Sequence, residues 1–255
     1  MRVFHVITHF DVGGAERVAV NIAKSKTQGI EYHLVEVVRG EGEFSDAFIK
    51  ELGESHIHYH RSCIKNNKVG IICFPFLFIY LALKWKPDVI HTHTEIPDLG
   101  IYLWHRMFRW LFPHIKYVRT IHNTELWNRW PGIGDRVERF FKLKHANIAI
   151  SESTQTCYKN NYEESPPIIF NGLQKVLQKP FENIVKNKIN ILFAGRLEYQ
   201  KGIDQLIAVI TAFGNNAKYH FHVVGNGSVK EKESQSLSVF DNVSLYYKIF
   251  CLNHY

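Results

Sequence analysis

Two cationic side chains around a glycine turn are the clearest candidates for chemistry in this sequence. The stretch ILFAGRLEYQKGIDQLIAVI, residues 191–210, starts as an apolar run that predicts a strand and continues through Gly195 and Arg196 to Lys201, just before a helical pattern. Two cations five positions apart across a loop could converge on one phosphate group and stabilise negative charge on a leaving diphosphate. Two solvated surface cations would explain the same residues equally well.

A second glycine turn lies near the N-terminus, in THFDVGGAERV, residues 8–18. Gly13 and Gly14 stand between the first predicted strand and the first predicted helix. Glycines here let the backbone approach a ligand closely, and free N–H groups at a helix start attract phosphate. A tight turn without a ligand is the alternative. The dinucleotide pattern GxGxxG is absent, which disfavours a nicotinamide site.

Histidines mark the ends of two further predicted strands. In DVIHTHTE, residues 88–95, His91 and His93 lie two apart and therefore on one face, with Glu95 nearby. A metal needs a third and usually a fourth ligand, which this spacing does not supply, so we expect no metal site. Histidines at the carboxyl end of a parallel strand can still contact a ligand, because such ends line the crevice of open α/β sheets.

The segment YVRTIHNTE, residues 117–125, ends another predicted strand with polar residues. Its His122 could donate a hydrogen bond to a sugar hydroxyl or transfer a proton. A solvent-exposed histidine at a capped strand end is the alternative. The nearby polar residues are Arg119, Thr120 and Asn123.

Strand-like and helix-like runs alternate along almost the whole chain. Ten strands are predicted, at residues 3–8, 32–38, 57–60, 88–93, 116–122, 147–151, 168–170, 189–194, 219–224 and 243–247. Apolar residues recur between them at helical spacing, for example Ala15, Val18 and Ile22. This order predicts parallel sheets with crossover helices, an α/β doubly wound architecture.

A polar run at residues 173–188, which contains Pro180, interrupts the alternation and is the predicted linker. It separates a complete N-terminal Rossmann-like domain, residues 1–172, from a partial second Rossmann-like domain, residues 189–255. Only three predicted strands follow the linker, so we expect the second part to be marginally stable alone.

Composition sets the class of protein and of partner. The 255 residues are 45% hydrophobic and 22% charged, which is ordinary for a globular protein. The net charge of +7 favours anionic partners. Nucleic acid is disfavoured, because the cations are scattered and no RNA-binding signature appears. The four cysteines are far apart without a CxxC pair, which fits a reducing cytosol. The first ten residues lack a cleavage site and predict a strand, not a signal peptide.

Two apolar segments raise the question of membrane contact. Residues 69–85 contain Pro75 and fall short of the ~20 apolar residues of a spanning helix, so we expect a buried or interfacial helix. Residues 101–116 combine aromatic and basic side chains, which is compatible with docking at an anionic membrane face. An ordinary amphipathic cover helix is the alternative, because aromatic residues usually belong to the core. The aromatic and basic residues in question are Trp104, Arg106, Arg109, Trp110 and Lys116.

Seven motifs give this sequence a resemblance to a known family. GGAERV, PDVIHTHT, TIHNTE, AISEST, IIFNGL, FAGRLEYQKGIDQLI and HVVGNGS occur in the order found in glycosyltransferase family 4, retaining enzymes of the GT-B fold. The resemblance runs from residue 1 to about residue 247. It implies two Rossmann-like domains facing each other across a cleft, with a nucleotide-diphosphate sugar held mainly by the C-terminal one. It also implies that no metal or other cofactor is needed.

The resemblance implies roles for individual residues. Arg196 and Lys201 would grip the donor diphosphate, and His122 would lie near the transferred sugar. Asn171 and Gly172 would mark the crossing between the domains. The glycines that the resemblance places in donor-binding turns are Gly13, Gly14, Gly195 and Gly225. The implied reaction is transfer of a hexose with retention to a saccharide or lipid-linked acceptor in polysaccharide biosynthesis, in the cytoplasm or at the inner face of the membrane.

The sequence departs from the family pattern near its C-terminus. The family continues with a segment that carries two glutamates seven residues apart, and no such segment follows here. The last residues match nothing in the family. We therefore expect a truncated chain with an open strand edge near residues 243–247, weak donor binding and slow or no turnover. A partner-dependent half-enzyme that binds phosphate or acceptor without catalysis is the alternative.

Overall fold

The computed structural model describes residues 1–11, 13–128, 130–173, 181–225, 227 and 236–246. The chain forms two compact units, Met1–Lys175 and Val176–Tyr255. The predicted linker at residues 173–188 lies partly outside the described residues, since 174–180 are among those not described. The predicted domain boundaries therefore stay a prediction.

Unit 1, Met1–Lys175, is built on a six-stranded parallel sheet. Its strands are β1 (Arg2–Ile7), β2 (Glu31–Glu36), β3 (His58–His60), β4 (Val89–Thr92), β5 (Lys116–Ile121) and β6 (Asn147–Ala149). Their order in the sheet is β3-β2-β1-β4-β5-β6, and every pair is parallel. The order reverses between β1 and β4, so a crevice is expected beyond the carboxyl ends of these two strands.

The helices of unit 1 connect these parallel strands. They are α1 (Gly14–Lys24), α2 (Glu43–Glu54), α3 (Asn67–Trp85), α4 (Glu95–Phe108), α5 (Pro131–Leu143) and α6 (Glu152–Tyr162), with a 3-10 helix at Arg109–Leu111. The core between sheet and helices includes Phe4, Phe78, Ile90, Trp104 and Phe141, all fully buried. Burial of such apolar side chains is the dominant favourable contribution to folding.

Unit 2, Val176–Tyr255, contains a smaller parallel sheet. Its described strands are β7 (Ile189–Ala194), β8 (Tyr219–Val224) and β9 (Val243–Tyr246), in the order β7-β8-β9. A 3-10 helix, Tyr199–Lys201, and α7, Ile203–Phe213, follow β7. The small core packs Ile203 and Ile210 of α7 against Phe221 and Val223 of β8. The predicted α/β class, with a larger and a smaller parallel sheet, is confirmed.

The two apolar segments have different outcomes. Residues 67–85 form α3, whose N-terminus is capped by Asn66: the Oδ1 atom accepts hydrogen bonds from the N–H groups of Lys68 at 3.0 Å and Val69 at 3.2 Å. By length and composition alone, α3 could cross a membrane, although its buried side belongs to the core of unit 1. In residues 101–116, Trp104 is fully buried as a cover helix requires, whereas Trp110 is 73% exposed.

Candidate functional site

The carboxyl ends of β1, β4 and β5 bring four histidines together. Register places His5 of β1 beside His91 of β4. His5 Nδ1 lies 2.9 Å from His93 Nε2, and His93 Nδ1 lies 3.3 Å from His122 Nε2. The chain of imidazoles therefore runs from the interior of the sheet to His122 at the crevice. Sequence reasoning identified His91, His93 and His122 but missed His5, which only the strand order brings into the group.

Burial keeps these imidazoles neutral. It lowers the pKa of His122 to about 4 and the pKa of His5 to about 3, and it holds the pKa of His93 well below its ordinary value. A neutral imidazole carries one N–H, so each hydrogen bond in the chain constrains the tautomer of the next ring. Among the described residues, none hydrogen-bonds to Nδ1 of His122, which leaves that atom for a ligand. A histidine with so low a pKa is better suited to hydrogen bonding than to proton abstraction near neutral pH.

A metal at this position would compete with bonds that already exist. Nitrogens of His5, His91 and His93 lie within 4.8 Å of one another. However, the His5 and His93 nitrogens already face each other in a hydrogen bond, and His91 Nε2 lies 2.7 Å from Thr120 Oγ1. The His91 and His93 rings are also stacked at 4.2 Å with 26° between their planes, and lone pairs that lie in two nearly parallel ring planes converge poorly on one metal ion. The expectation of no metal site stays a prediction.

A cavity of about 750 Å³ opens near the same edge of the sheet. The starts of α3 and α4 and the segment after β5 contribute its walls. Its lining residues include Lys65, Lys68, Glu95, Glu125, Trp127 and Trp130. Asn123 Nδ2 donates to Glu95 Oε1 at 3.4 Å, which ties the end of β5 to the start of α4. Sequence reasoning noted Glu95 but missed the others, because three separate segments supply them.

A buried ion network supports the Trp127 wall of this cavity. Trp127 Nε1 donates to Glu138 Oε1 at 2.5 Å, and Arg119 donates to both oxygens of Glu138 at 2.6 Å each. Arg119 also donates to Asp98 at 2.7 Å, and its side chain is 1% exposed. Burial would raise the pKa of Glu138, but the charge of Arg119 and these hydrogen bonds lower it below its ordinary value. Arg119 is thus a structural residue of the core and does not face the crevice.

The same network is tightly packed around Trp127. Its φ of 60° lies in the left-handed region, which is uncommon for a bulky residue. A Cβ on Gly134 would lie 2.3 Å from the Trp127 side chain, so only glycine fits beneath the indole. The aromatic wall is therefore held in one orientation from both sides.

In unit 2, two glycine turns at neighbouring strand ends touch through their backbones. The Gly195 N–H donates to the Val224 carbonyl at 3.0 Å. Gly225 has a φ of 152°, and a Cβ there would lie 1.8 Å from the Gly195 carbonyl oxygen. Gly225 is therefore required by close approach, at the carboxyl edge of the β7-β8-β9 sheet where α/β proteins bind ligands.

The two predicted cations lie on the segment that follows Gly195. Arg196 follows Gly195, and its side chain is 59% exposed with Nη1 at 3.3 Å from Glu198 Oε2. Lys201 is exposed at the end of the 3-10 helix, and Gly202, with a φ of 79°, leads from it into α7. An exposed ion pair of this kind contributes little to stability, so Arg196 can exchange Glu198 for another anion at low cost.

The remaining predicted binding residues lie in unit 1. Gly13 is the N-cap of α1, which begins at Gly14. A Cβ on Gly13 would lie 2.0 Å from Glu16 Oε2, so the Glu16 carboxylate rests against this turn and a phosphate would compete with it. Asn171 and Gly172 are exposed near the end of the unit, where the Gly172 carbonyl accepts a hydrogen bond from Asn21 Nδ2 at 3.4 Å. Their predicted binding roles stay predictions.

Comparison with known families gives two adjacent matches. The sequence model for Glycosyltransferase Family 4 matches residues 12–174, and the model for Glycosyl transferases group 1 matches residues 175–247. A curated relative is an uncharacterised 41.2 kDa protein in the cps region of Klebsiella pneumoniae. It is 28% identical in an alignment of length 176, and the match covers 59% of this chain and 46% of that protein.

Solved structures share the fold. Anabaena HepE in complex with UDP and glucose is 18% identical with a TM-score of 0.69, and the match covers 98% of this chain and 70% of that one. Sucrose-phosphate synthase from Thermosynechococcus elongatus is 15% identical with a TM-score of 0.69, covering 98% of this chain and 71% of that one. At these identities the likeness shows the fold alone, and it confirms the predicted GT-B-like class.

Proposed function

This chain belongs to glycosyltransferase family 4, and on that premise we propose that it transfers a sugar from a nucleotide-diphosphate donor to a hydroxyl group of an acceptor. The observation that carries the proposal is the backbone contact between Gly195 and Gly225 at the carboxyl edge of the unit 2 sheet. That contact leaves a surface without side chains next to Arg196, on the loop that continues to Lys201.

The donor follows from the chemistry of this edge. A diphosphate presents dense negative charge, which an exposed guanidinium and ammonium on one short loop can neutralise without a metal ion. Anabaena HepE, which has the same fold, was solved with UDP and glucose. We propose a nucleotide-diphosphate hexose as the donor of this chain.

Cleavage of the donor needs stabilisation of the departing diphosphate. Arg196 and Lys201 would supply it, and a single well-placed donor of this kind is worth about 3 kcal/mol of barrier. The neutral His122 would hydrogen-bond a hydroxyl of the transferred sugar through Nδ1. In line with the family, we propose that the anomeric configuration is retained.

The acceptor site proposed here is the cavity walled by Trp127 and Trp130 in unit 1. The partly exposed Trp130 indole can pack against the apolar face of a sugar ring, while Glu95 and Glu125 can accept hydrogen bonds from its hydroxyls. A saccharide or lipid-linked saccharide fits this mixture. The curated relative in the cps region of Klebsiella pneumoniae supports a place in polysaccharide biosynthesis.

Saturation-transfer NMR against UDP-, GDP- and ADP-sugars tests the donor proposal. We expect one nucleotide class to give signals with the natural sequence, and Arg196→Ala and Lys201→Ala each to abolish them. Lys218→Ala is the matched control, because Lys218 is an exposed cation that precedes β8 at the opposite edge of the same sheet. Unchanged binding in both loop variants would refute the cation assignment.

A second candidate is a half-enzyme that binds without turning over unless a partner completes it. Within the described residues, β7 pairs with β8 on one side only and exposes two large apolar side chains, Leu192 at 64% and Ile189 at 48%. An exposed apolar strand of this kind is a template for pairing with another chain. Sugar transfer by the purified chain alone would eliminate this candidate, whereas donor binding without transfer would favour it.

A further inference from the structure

One face of α3 exposes an uninterrupted apolar stripe. Its members are Val69 at 47%, Ile72 at 66%, Phe76 at 59%, Tyr80 at 58% and Leu83 at 58% exposed. A helix on the surface of a globular protein normally places charged and polar residues on its outer face. Between Lys68 and Lys84 the sequence of α3 has no charged residue at all. The stripe runs for about 21 Å along the helix, which is too long and too continuous to be scattered surface residues.

The opposite face of α3 is fixed in the core of unit 1. Phe74 is 1% exposed, and Phe78 and Ala82 are fully buried. The Phe78 ring meets Phe4 of β1 at 6.0 Å and Trp104 of α4 at 5.1 Å, both edge to face. Only the exposed apolar side of α3 is therefore free to contact another surface, because exposing the other side would disrupt the core of unit 1. This arrangement suits a surface contact and not a membrane span.

A second exposed aromatic segment lies next to the stripe. The Phe76 ring packs edge-on against Phe108 at 6.2 Å, and Phe108 leads directly into the 3-10 helix Arg109–Leu111. Trp110 on that helix is 73% exposed, and Met107 just before it is 44% exposed. Tryptophan beside an apolar face is typical of the boundary between lipid headgroups and acyl chains.

The sequence segments that form this surface carry charge of one sign. Residues 55–87 and 99–124, which include α3 and most of α4, contain no aspartate or glutamate. Cations lie at both ends of the stripe and beside Trp110. They are Lys68, Lys84, Arg106 and Arg109, all exposed. An apolar face bordered by cations is complementary to an anionic lipid surface.

We propose that the α3 stripe and Trp110 dock unit 1 on an anionic lipid bilayer, with the stripe at the level of the headgroup–acyl boundary and the bordering cations on lipid phosphates. This inference rests on the surface itself and holds whatever sugar the chain transfers. A second copy of the chain fits less well. Two copies meeting through this same face would bring Lys68, Lys84 and Arg109 of one copy close to the same cations of the other.

Co-sedimentation with vesicles tests the docking surface on the full chain. Vesicles of phosphatidylcholine alone are compared with vesicles of phosphatidylcholine with added phosphatidylglycerol, at low and at high salt. We expect binding to the anionic vesicles, weaker binding at high salt and little binding to phosphatidylcholine alone. Absence of binding to the anionic vesicles at low salt would overturn the proposal.

Two double variants separate the apolar and the ionic contributions. The double variant Ile72→Glu with Phe76→Glu should lower partitioning onto anionic vesicles roughly tenfold or more, because it removes apolar area that the bilayer would bury. The double variant Lys68→Glu with Lys84→Glu should lower it by a similar factor, because it reverses the charge that faces the lipid phosphates. Leu143→Glu is the control, because Leu143 is an apolar residue that is even more exposed, 73%, and lies on a different helix, α5. Far-ultraviolet circular dichroism checks that each variant is folded.

These vesicle experiments can fail or succeed independently of the sugar-transfer proposal. Loss of vesicle binding in both double variants with retention in the Leu143 variant supports docking through α3, even if no sugar nucleotide binds. Equal binding by all variants would overturn it. So would a natural-sequence dimer in gel filtration that the Ile72 and Phe76 changes dissociate, since the stripe would then be a contact between copies.

Discussion

Acid should destabilise unit 1 through its buried histidines, and His5 allows the effect to be measured one proton at a time. Burial lowers the pKa of His5 from 6.5 to about 3. Below about pH 6.5 the His5 ring is therefore protonated in the unfolded chain, whereas in the folded unit it stays neutral. The stability that His5 contributes is complete above that pH and is lost progressively as the pH falls toward its folded value.

The magnitude follows from proton linkage. Near pH 5.5 the His5 ring is about nine-tenths protonated in the unfolded chain and almost unprotonated in the folded one. The free energy of unfolding therefore changes by roughly 1.2 kcal/mol per pH unit because of His5 alone. Between about pH 7.5 and pH 5 this sums to roughly 2 kcal/mol. Replacing His5 by Phe removes this proton and keeps a ring against Tyr32 and His91. In this variant the slope of the unfolding free energy against pH should therefore be smaller by about 1.2 kcal/mol per pH unit. Loss of the hydrogen bond to His93 lowers the stability at every pH and does not change this slope.

Urea unfolding followed by tryptophan fluorescence is the assay. All five tryptophans lie in unit 1, so their emission reports this unit and not unit 2. His114→Gln serves as the control, because it replaces an exposed histidine of the same unit. His5→Asn provides a second replacement that also lacks a titrating ring. If the natural sequence and both His5 variants share one slope, the neutral, buried state of His5 is refuted.

Two further changes test the supports of the candidate sites. Arg119→Met should cost unit 1 about 3–5 kcal/mol, because it leaves Asp98 and Glu138 buried without their cation; urea unfolding measures this, and Arg119→Lys should recover only part because lysine lacks the two-pronged contact. Gly225→Ala should destabilise the β7-β8 pairing by about 1–3 kcal/mol, because its Cβ would collide with the Gly195 carbonyl. Hydrogen exchange of the β7 and β8 amides reads this out, and unchanged protection would contradict the close backbone contact.

The strands were predictable because their signal is local. Nine of the ten predicted strands form, each within a residue or two of the predicted ends. The tenth, residues 168–170, contributes one bridge, between Ile168 and Ala149, and no regular strand. Alternation of short apolar runs with helical spacing identifies a parallel α/β fold without knowledge of which strands are neighbours.

The candidate sites were less predictable because they depend on strand order. His5 lies 88 positions from His93 in the chain, and only the insertion of β1 between β2 and β4 brings the two rings together. Arg119 lies near the end of β5, and only the fold shows that its side chain turns into the core toward Glu138. The sequence shows that residues 69–85 are apolar, but it does not show that one side of α3 is exposed. Periodicity reports which residues share a face and does not report what covers that face.

The buried network around Glu138 also constrains how this sequence can change over generations. The carboxylate contacts Arg119 on β5, Trp127 in the cavity wall and Tyr158 on α6, so one residue joins three parts of the unit. Removing a single charged residue from this network lowers the free energy of unfolding strongly. Replacing all of its charged residues by apolar ones of similar volume often leaves that free energy unchanged or raises it. Substitutions here are therefore strongly epistatic. The intermediates between the charged set and an apolar one would be purged, and lineages should hold either all of its charged members or none of them.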